Sequence, residues 1–389
     1  MSKARQSAVF SKMHQAAQRP VVVSLDVHDE STYMFSVDTH TGEIKRDCRV
    51  MGHYRKVLHH LDKLGPRRQI SVLVEAGPHG YAPWRCFTEA GYTTYMIVPG
   101  SIPNARRAQK TDRDDAIENL NYHCSGLLRY VHVPDIEDER MRECLRERQH
   151  VMWAVTKEKQ KLLSLLKRQG VEYNLTKTNW TKTHYRWLGE VSLPLPIRSI
   201  VDIQLQRIDH LGAEAAMLWR LVDDYLNSHP HHSLLRYWYT RMAGVGPILS
   251  ATLVIEGGDL GRFAHPKPWM KFTGLIPGKR QSGGKDPALH ITKTGNKYLR
   301  TALVGIAKYY QDYRYLHKKE DIEKLPPILQ EFIHRSQQRL FSRYHALRRC
   351  GKRSTKARVA VARELAAFVW ELATIVVPQL EQSSHQKAA

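Results

Sequence analysis

The sequence predicts an α/β domain in its first third, followed by a long helical region and a mainly helical second domain. Three observations lead to this prediction. Short apolar runs alternate with helical patterns between residues 21 and 98, one charged helical pattern extends from 135 to 169, and glycine turns separate helical segments further on. A chain of 389 residues is also long enough for two or three domains with their own cores.

The first domain is predicted from the order of its elements. Three strand patterns come first, and helix, strand, helix and strand follow them, which is the order of an RNase H-like α/β domain. The predicted elements are strands at 21–26, 32–37 and 44–50, a helix at 54–64 stopped by Gly65-Pro66, a strand at 70–75, a helix at 84–90 and a strand at 93–98.

The second region is predicted to be one long helix with a single apolar face. Asp135 can cap its start and Gly170 can end it. So long a helix with one apolar stripe is expected to pack on a partner helix or on another subunit, as a coiled coil does. Residues 171–196 are predicted to be a connector, and 197–226 a second helix. The stripe consists of Met141, Cys144, Leu145, Val151, Met152, Val155, Leu162, Leu165 and Leu166.

A glycine turn followed by a helix predicts a helix-hairpin-helix-like element in the last domain. Gly244 and Gly246 lie in this turn, and the helix at 248–255 would offer backbone N–H groups to a phosphate. An ordinary turn between helices is the alternative. The predicted organisation is a basic extension at 1–20, the α/β domain at 21–134, the helical connector at 135–235, the last domain at 236–380 and a polar tail at 381–389.

The charge balance favours a polyanionic partner. The formal net charge is +22 and the pI is near 9.8, and nucleic acid is the commonest partner of so basic a chain. A membrane-spanning helix is not expected, because the best apolar stretch, 366–377, is short and carries Glu371. The N-terminus has no apolar core of a secretory signal, and five scattered cysteines fit neither a zinc site nor a disulfide framework, so a cytoplasmic location is expected.

Four acidic residues occupy positions that suit a metal site within this basic chain. Asp26 ends the first strand pattern and Glu75 ends the fourth, and these strands are neighbours in an RNase H-like sheet. Asp112 and Asp115 are three residues apart and share one helix face. Hard divalent cations prefer carboxylate oxygens, and four clustered carboxylates repel one another unless cations neutralise them. The pattern therefore predicts a site for Mg²⁺ or Mn²⁺, with two ions expected.

A simpler explanation exists for part of this pattern. Thr111 could cap a helix whose first turn collects acids against the helix dipole. Asp29 and Asp114 are interpreted as solvated, and His28 and His79 are left out of the predicted site. The basic neighbours predicted to hold a nucleic-acid backbone are Arg106, Arg107, Lys110 and Arg113.

Two further basic stretches are candidate nucleic-acid contacts. Residues 331–360 hold nine lysines and arginines against one acid, with Phe341 and Tyr344 interleaved, although a solvated basic helix would have the same composition. Residues 274–300 have the composition of a phosphate-binding loop, in which Ser282 is one hydroxyl among many. The predicted contacts there are Lys279, Arg280, Lys285, Lys293, Lys297 and Arg300.

These motifs together resemble the "one-ten" insertion-sequence family, the DEDD-type transposases described as bridge-RNA-guided recombinases and related to the Piv invertases. The resemblance covers most of the chain in two blocks. The matching motifs are Leu25-Asp26-Val27, Val74-Glu75-Ala76-Gly77, Lys110-Thr111-Asp112 with Asp115-Ala116, Gly244-Val245-Gly246-Pro247, Gly274-Leu275-Ile276-Pro277, Ser282-Gly283-Gly284, and Ile291-Thr292-Lys293 with Gly295-Asn296 and Leu299-Arg300.

The resemblance implies a chemistry and a set of partners. Asp26, Glu75, Asp112 and Asp115 are similar to the family's RuvC-like metal ligands, and Ser282 falls where the family has its nucleophile. It implies metal-dependent recombination of donor and target double-stranded DNA through a phosphoserine intermediate, guided by a structured noncoding RNA. It also implies dimers and tetramers, with the helix at 136–169 as a dimerisation element.

Two departures from the family pattern are present. The residue three after the first aspartate is often lysine in the family and is Asp29 here, which leaves the ligands intact. The stretch 285–290 is less basic than expected, which puts in doubt only how tightly this loop grips DNA. A RuvC-like nuclease that uses water instead of Ser282, and a basic RNA-binding or DNA-binding scaffold without catalysis, are the alternative functions.

Overall fold

The chain divides into two compact units, one up to Pro134 and one from Asp135 onward. The computed structural model describes residues 19–98, 111–278, 290–317 and 319–388, and it describes 319–320 and 383–388 by their backbone alone. Within these ranges, no helix combines the length and the apolar character that crossing a bilayer requires.

The first unit is built on a five-stranded mixed sheet with the strand order β3-β2-β1-β4-β5. The first strand pairs antiparallel with the second and parallel with the fourth, so the expectation that the first and fourth strands are neighbours is confirmed. The strands are β1 Val21–Val27, β2 Ser31–Asp38, β3 Ile44–Met51, β4 Ile70–Glu75 and β5 Thr93–Ile97.

Helices cover both faces of this sheet, and its central strands β1 and β4 are nearly continuous apolar runs, as expected for strands buried on both faces. Side chains alternate between the faces along each strand. Val23 of β1 and Val72 of β4 pack with helices α1 Val57–Leu61 and α2 Ala82–Glu89. Val22 and Leu73 lie on the opposite face and pack with helix α3 Asp112–Cys124.

The predicted helix at 54–64 is shorter in the structure. It consists of a 3₁₀ turn, Tyr54–Lys56, followed by α1, which ends at Leu61. Asp62 instead accepts hydrogen bonds from the Tyr92 hydroxyl, at 2.6 Å, and from Arg67 Nε, at 3.0 Å. Asp62 keeps helical backbone angles and its N–H donates to the Leu58 carbonyl oxygen at 3.0 Å, so it is the C-cap of α1, three residues before the Gly65-Pro66 stop signal.

The second unit begins with a helical hairpin made of two long helices. Helix α4 Ile136–Arg168 starts at the predicted cap, since the Asp135 carboxylate accepts a hydrogen bond from the Glu137 N–H at 2.9 Å. Its apolar stripe packs on helix α6 Leu195–Ser228 of the same chain. Leu145, near the start of α4, shares a core with the end of α6, so the two helices run antiparallel.

The prediction that 171–196 is only a connector is wrong. The segment contains helix α5 Lys182–Glu190, which is capped by the Thr181 hydroxyl. Leu188 and His184 are fully buried beside the α4–α6 hairpin. The burial of this short amphipathic turn stabilises a helix that local composition, rich in Thr, Asn and Trp, disfavours.

The remaining helices form one large core around the fully buried Trp269 and Tyr310. The indole N–H of Trp269 donates to the Ala366 carbonyl oxygen at 2.8 Å, which ties two distant helices together. A π-helical turn at Leu372–Val376 links the last two helices. These helices are α7 Pro230–Tyr239, α8 Pro247–Gly257, α9 Pro266–Phe272, α10 Lys297–Ala307, α11 Lys319–Ile322, α12 Pro327–Arg349, α13 Ser354–Glu371 and α14 Val377–Ala388.

Candidate metal centre and nucleic-acid contacts

The carboxyl ends of β1 and β4 place Asp26 and Glu75 on one face of the sheet. Leu25 pairs with Val74, so each acid follows a paired residue at the same edge. Both acids share the strand face of Val22 and Leu73, which is the face that α3 covers. The neighbouring parallel strands therefore bring two distant sequence positions to the start of one helix.

The first turn of α3 delivers the other two acids to this edge. The Thr111 hydroxyl caps the helix by accepting the Asp114 N–H at 3.2 Å, so the capping explanation is also correct. Asp112 and Asp115 lie on the helix face that buries Ala116 against the sheet. The cap fixes where the helix begins, and that start sets the position of the acids.

The tightest group of possible metal ligands consists of Asp26, His28 and Asp112. One ligand atom of each lies within 4.8 Å of the others, and among the described residues this is the group of three or more that meets that distance. His28 Nε2 lies 3.2 Å from Asp26 Oδ2 and 3.7 Å from Asp112 Oδ2. Glu75 and Asp115 lie outside this group. Sequence reasoning left out His28, although its position two residues after Asp26 at a strand end was a usable signal.

The electrostatics of the group match a cation site. Burial raises the pKa of Asp26 above its ordinary value, the nearby charge of His28 lowers it, and the charges of Asp112 and Asp115 raise it again. Unbalanced negative charge in a half-buried position is costly until a cation offsets it. Two carboxylates and an imidazole form a donor set that accepts divalent cations, so the residues present fit such an ion.

Two arginine–aspartate pairs hold α3 against the sheet edge. Arg49 Nη2 of β3 donates to Asp112 Oδ2 at 2.6 Å, and Arg113 Nε donates to Asp47 Oδ2 at 2.8 Å. The Tyr33 hydroxyl also donates to Asp47, and this hydrogen bond, with that of Arg113, lowers the pKa of the Asp47 carboxyl. Arg113, predicted to contact a nucleic-acid backbone, is therefore engaged within the fold.

The glycine turn before α8 has a packing role that the sequence did not reveal. Gly244 has φ +80°, and a Cβ there would lie 2.4 Å from the Tyr309 ring, so glycine lets the two segments meet. Gly246 is exposed and caps α8, with Pro247 at the first helical position. The predicted turn and helix are thus present.

A short antiparallel bridge joins the described residues on either side of the stretch 279–289. Pro277 pairs with Ile291, and the Gly278 N–H donates to the His290 carbonyl oxygen at 2.8 Å. Arg300 Nη1 of α10 donates to the Thr273 carbonyl oxygen at 3.1 Å, and this hydrogen bond ties the chain just before the bridge to α10. The predicted residues Ser282, Lys279, Arg280, Lys285, Arg106, Arg107 and Lys110 lie outside the described residues.

The other predicted contacts fall into exposed and buried classes. Lys293 and Lys297 are exposed, and the Lys297 ammonium lies 4.9 Å from the Tyr298 ring centre. Tyr344 is buried, and its hydroxyl bonds with Ser354 at 2.9 Å, so its prediction as a groove residue is wrong. It lies on the α12 face that packs into the core, which a count of aromatic and basic residues could not distinguish.

Comparisons with known proteins agree with this geometry. Residues 23–170 match a model of DEDD transposases, and residues 239–319 match a model described as the transposase IS116/IS110/IS902 family. Residues 23–170, which include most of the first unit and helix α4, are therefore a DEDD transposase domain, a class that implies divalent metal use.

The alignments with known relatives cover most of this chain and most of each relative. A transposase designated y4qE from Sinorhizobium fredii is 33% identical over 304 residues, which is 77% of this chain and 74% of the relative. The transposase for insertion sequence element IS1111A of Coxiella burnetii is 22% identical over 372 residues, 94% of this chain and 93% of the relative. The transposase for IS1533 of Leptospira borgpetersenii is 24% identical over 269 residues, 65% and 75% of the two chains. The chain belongs to the IS116/IS110/IS902 family of insertion-sequence transposases.

Proposed function

We propose that this protein is a divalent-metal-dependent DNA recombinase that moves an insertion element through a phosphoserine intermediate. The observation that carries the proposal is the meeting of Asp26 and Asp112 at one sheet edge, from positions 86 residues apart. Family membership and the net charge of +22 support the choice of DNA as the substrate. An RNase H-like fold for the first unit is part of the proposal and is supported by the strand order.

The acidic edge would hold the metal and orient it. Asp26, Glu75, Asp112 and Asp115 are the proposed catalytic ligands, and His28, whose Nε2 lies 3.2 Å from the Asp26 carboxylate, is close enough to join them at the ion. A bound divalent cation, or a pair of them, would supply Lewis-acid activation of the scissile phosphate. Arg49, which lies against Asp112, is positioned to balance the charge of the site or of a nearby phosphate.

Ser282 is the proposed nucleophile. Its Oγ would form a bond to phosphorus while the bond to the leaving deoxyribose oxygen breaks, and the serine proton would pass to that oxygen. The phosphodiester energy would then be kept in the serine ester until a second strand end reverses the exchange. Exchange of one ester for another needs no external energy source.

The decisive experiment compares Ser282→Ala with the unchanged protein in Mg²⁺ or Mn²⁺. The proposal expects loss of both the covalent protein–DNA adduct and strand exchange. A nuclease that uses water would still cut DNA, and this result would replace the recombinase with the hydrolytic alternative. A non-catalytic scaffold would show no divalent-ion dependence, and Asp26→Ala and Glu75→Ala would change nothing.

A guide RNA is part of the proposal and has its own test. The strongly basic chain would retain RNA through purification, and sequencing that RNA identifies it. One discrete species encoded beside the gene supports guidance. A random sample of cellular RNA would argue against it.

Assembly into dimers and tetramers is also proposed. The apolar stripe of α4 is used inside the chain, whereas α6 keeps a second stripe exposed. Ile200 and Ile203 are three residues apart and Met217 and Leu221 are four apart. The two pairs keep one heptad register, with Arg207, His210 and Glu214 at the positions between them. Sedimentation of Met217→Glu with Leu221→Glu should give a smaller species than the unchanged chain. Identical sedimentation would exclude this stripe as the contact.

A further inference from the structure

Three exposed tyrosines lie within seven residues of the second unit. They occupy the two 3₁₀ turns Lys308–Gln311 and Tyr313–Tyr315 that follow α10. The exposed fractions are 38% for Tyr309, 76% for Tyr313 and 53% for Tyr315. Exposed aromatic rings grouped this closely are typical of a binding surface. We call these three residues, with Phe341 and His345 of α12, the aromatic surface.

The rings of the aromatic surface are held in place by one another. Tyr313 packs edge-on to Phe341, with ring centres 6.1 Å apart, and Phe341 lies 4.3 Å from the His345 ring. Tyr309 and Tyr315 form a second edge-on pair at 5.6 Å. In an edge-on pair, the ring that presents its edge keeps both faces clear of its neighbour. The surface therefore offers planar faces that are already oriented.

The glycine turn before α8 supports this arrangement. The Tyr309 ring lies directly over Gly244, where any Cβ would clash with it. The turn thus fixes one end of the aromatic segment against the core. Pre-ordered side chains lose less conformational entropy when a ligand binds.

The charge beside these rings is positive. Phe341, Ser342, His345, Arg348 and Arg349 line an open cavity of about 600 Å³, and these described residues bring two guanidinium groups and no carboxylate. Asp312 is the acid on the aromatic segment itself, and it accepts several hydrogen bonds from Arg314. Flat aromatic faces next to unneutralised cations match a ligand that alternates planar rings with negative charges.

We propose that the aromatic surface binds an unpaired nucleic-acid strand. Bases stack on Tyr313 and the neighbouring rings, and Arg348 and Arg349 contact the phosphates between them. Bases in a duplex are already stacked on each other, so a duplex would use the arginines and leave the aromatic faces empty. The inference rests on the proposed nucleic-acid function and adds to it the single-stranded state of the bound segment.

The test compares strands by fluorescence. An oligomer of about 12 nucleotides, made once as RNA and once as DNA with a 2-aminopurine reporter, is titrated against the full chain alongside a duplex of the same sequence. Stacking on tyrosine quenches the reporter. Tyr313→Ala should weaken single-strand binding about tenfold and remove the quenching, while duplex affinity changes less than twofold. Comparing the RNA and DNA strands shows which one the surface prefers.

Matched variants keep the result interpretable. Tyr237→Ala removes another exposed tyrosine of the same unit, 48% exposed, and should change neither affinity. Tyr313→Trp should restore single-strand binding, since a larger ring face remains. Equal loss on duplex and single strand would overturn the proposal, as would no loss on either. If the unchanged chain binds no nucleic acid at all, the proposed function fails as well. A loss seen only in Tyr313→Ala concerns the aromatic surface and leaves the proposed function intact.

Discussion

Two carboxylates in this molecule, Asp26 in the first unit and Glu256 in the second, are both withdrawn from water and have opposite surroundings. Glu256 is fully buried, and Arg146 donates to both of its oxygens, at 2.7 and 2.9 Å. Asn296 Nδ2 adds a third hydrogen bond at 2.6 Å. Asp26 is partly exposed and has His28 beside it, but its other charged neighbours are the acids Asp112 and Asp115.

This difference distinguishes a structural carboxylate from one that is ready to bind a cation. Burial opposes the charge of Arg146, yet its hydrogen bonds and charge interaction with Glu256 leave its pKa raised. The chain thus supplies all the positive charge that Glu256 requires. At Asp26, burial raises the pKa of the carboxyl, His28 lowers it, and the negative charges of Asp112 and Asp115 raise it further, so the chain leaves this carboxylate with a deficit of positive charge. A charge deficit, more than burial, identifies the functional site.

The largest expected effect comes from removing the carboxylate that lacks balancing positive charge, that of Asp26. Asp26→Asn should reduce divalent-dependent DNA cleavage about a thousandfold or more, because an amide cannot supply the ligand charge that transition-state stabilisation requires. Cleavage of a labelled DNA substrate measures this. Asp29→Asn is the matched control, since it removes the same charge three residues away, from a side chain that is 89% exposed. Equal losses in the two variants would contradict a specific role for Asp26.

Removing the carboxylate of Glu256, whose charge the chain balances, should lower the stability of the fold. Glu256→Gln leaves Arg146 without its buried partner and should lower the free energy of unfolding by about 3–5 kcal/mol. Denaturant unfolding measures this. Glu143→Gln, which removes the exposed partner of the same arginine at 3.2 Å, should cost less than about 1 kcal/mol. Similar costs for both variants would show that burial of the pair is unimportant.

Divalent cations should stabilise the first unit, and this gain in stability should not depend on Glu256. Binding to the folded state alone adds about 2.7 kcal/mol when the ion is at 100 times its dissociation constant. Thermal unfolding with and without Mn²⁺ measures the gain, and Asp26→Asn should abolish it while Glu256→Gln should keep it. A gain that survives Asp26→Asn would place the ion elsewhere.

The smallest effect is a pH dependence without divalent ions. The folded pKa of Asp26 is raised above its ordinary 3.8, so the folded state binds more protons than the unfolded state between those two values. The free energy of unfolding therefore falls as pH rises through this interval, and the ionised carboxylate remains destabilising above it. Urea midpoints measured against pH should decline less for Asp26→Asn. Parallel curves for the two proteins would show that Asp26 titrates normally.

Local patterns predicted most of the first unit. The five strands, the cap at Thr111 and the cap at Asp135 follow from apolar runs and from short-range hydrogen bonds that neighbouring residues make. Helix α5 was missed because its stability comes from burying Leu188 and His184 against distant helices. Tyr344 was misplaced because composition does not say which helix face meets the core.

The candidate site was predictable only in the part that local sequence patterns record. Acids at the ends of two strands are visible in sequence, and the family motifs point to the same residues. The inclusion of His28, and the engagement of Asp112 by Arg49, depend on contacts across the sheet edge. Such contacts join residues that are far apart in the chain, so no periodic pattern in the sequence indicates them.

By itself, the sequence determined the class of the first unit, the positions of its acids and the sign of the charge that surrounds them, because strand periodicity, capping and composition are local properties. The tertiary structure decided which carboxylates are balanced by the chain and which are left with a deficit. It also decided that the Tyr309 ring rests on Gly244 at the edge of an exposed aromatic surface. The physical reason is that charge balance and ring packing depend on distances between elements, and folding alone sets those distances.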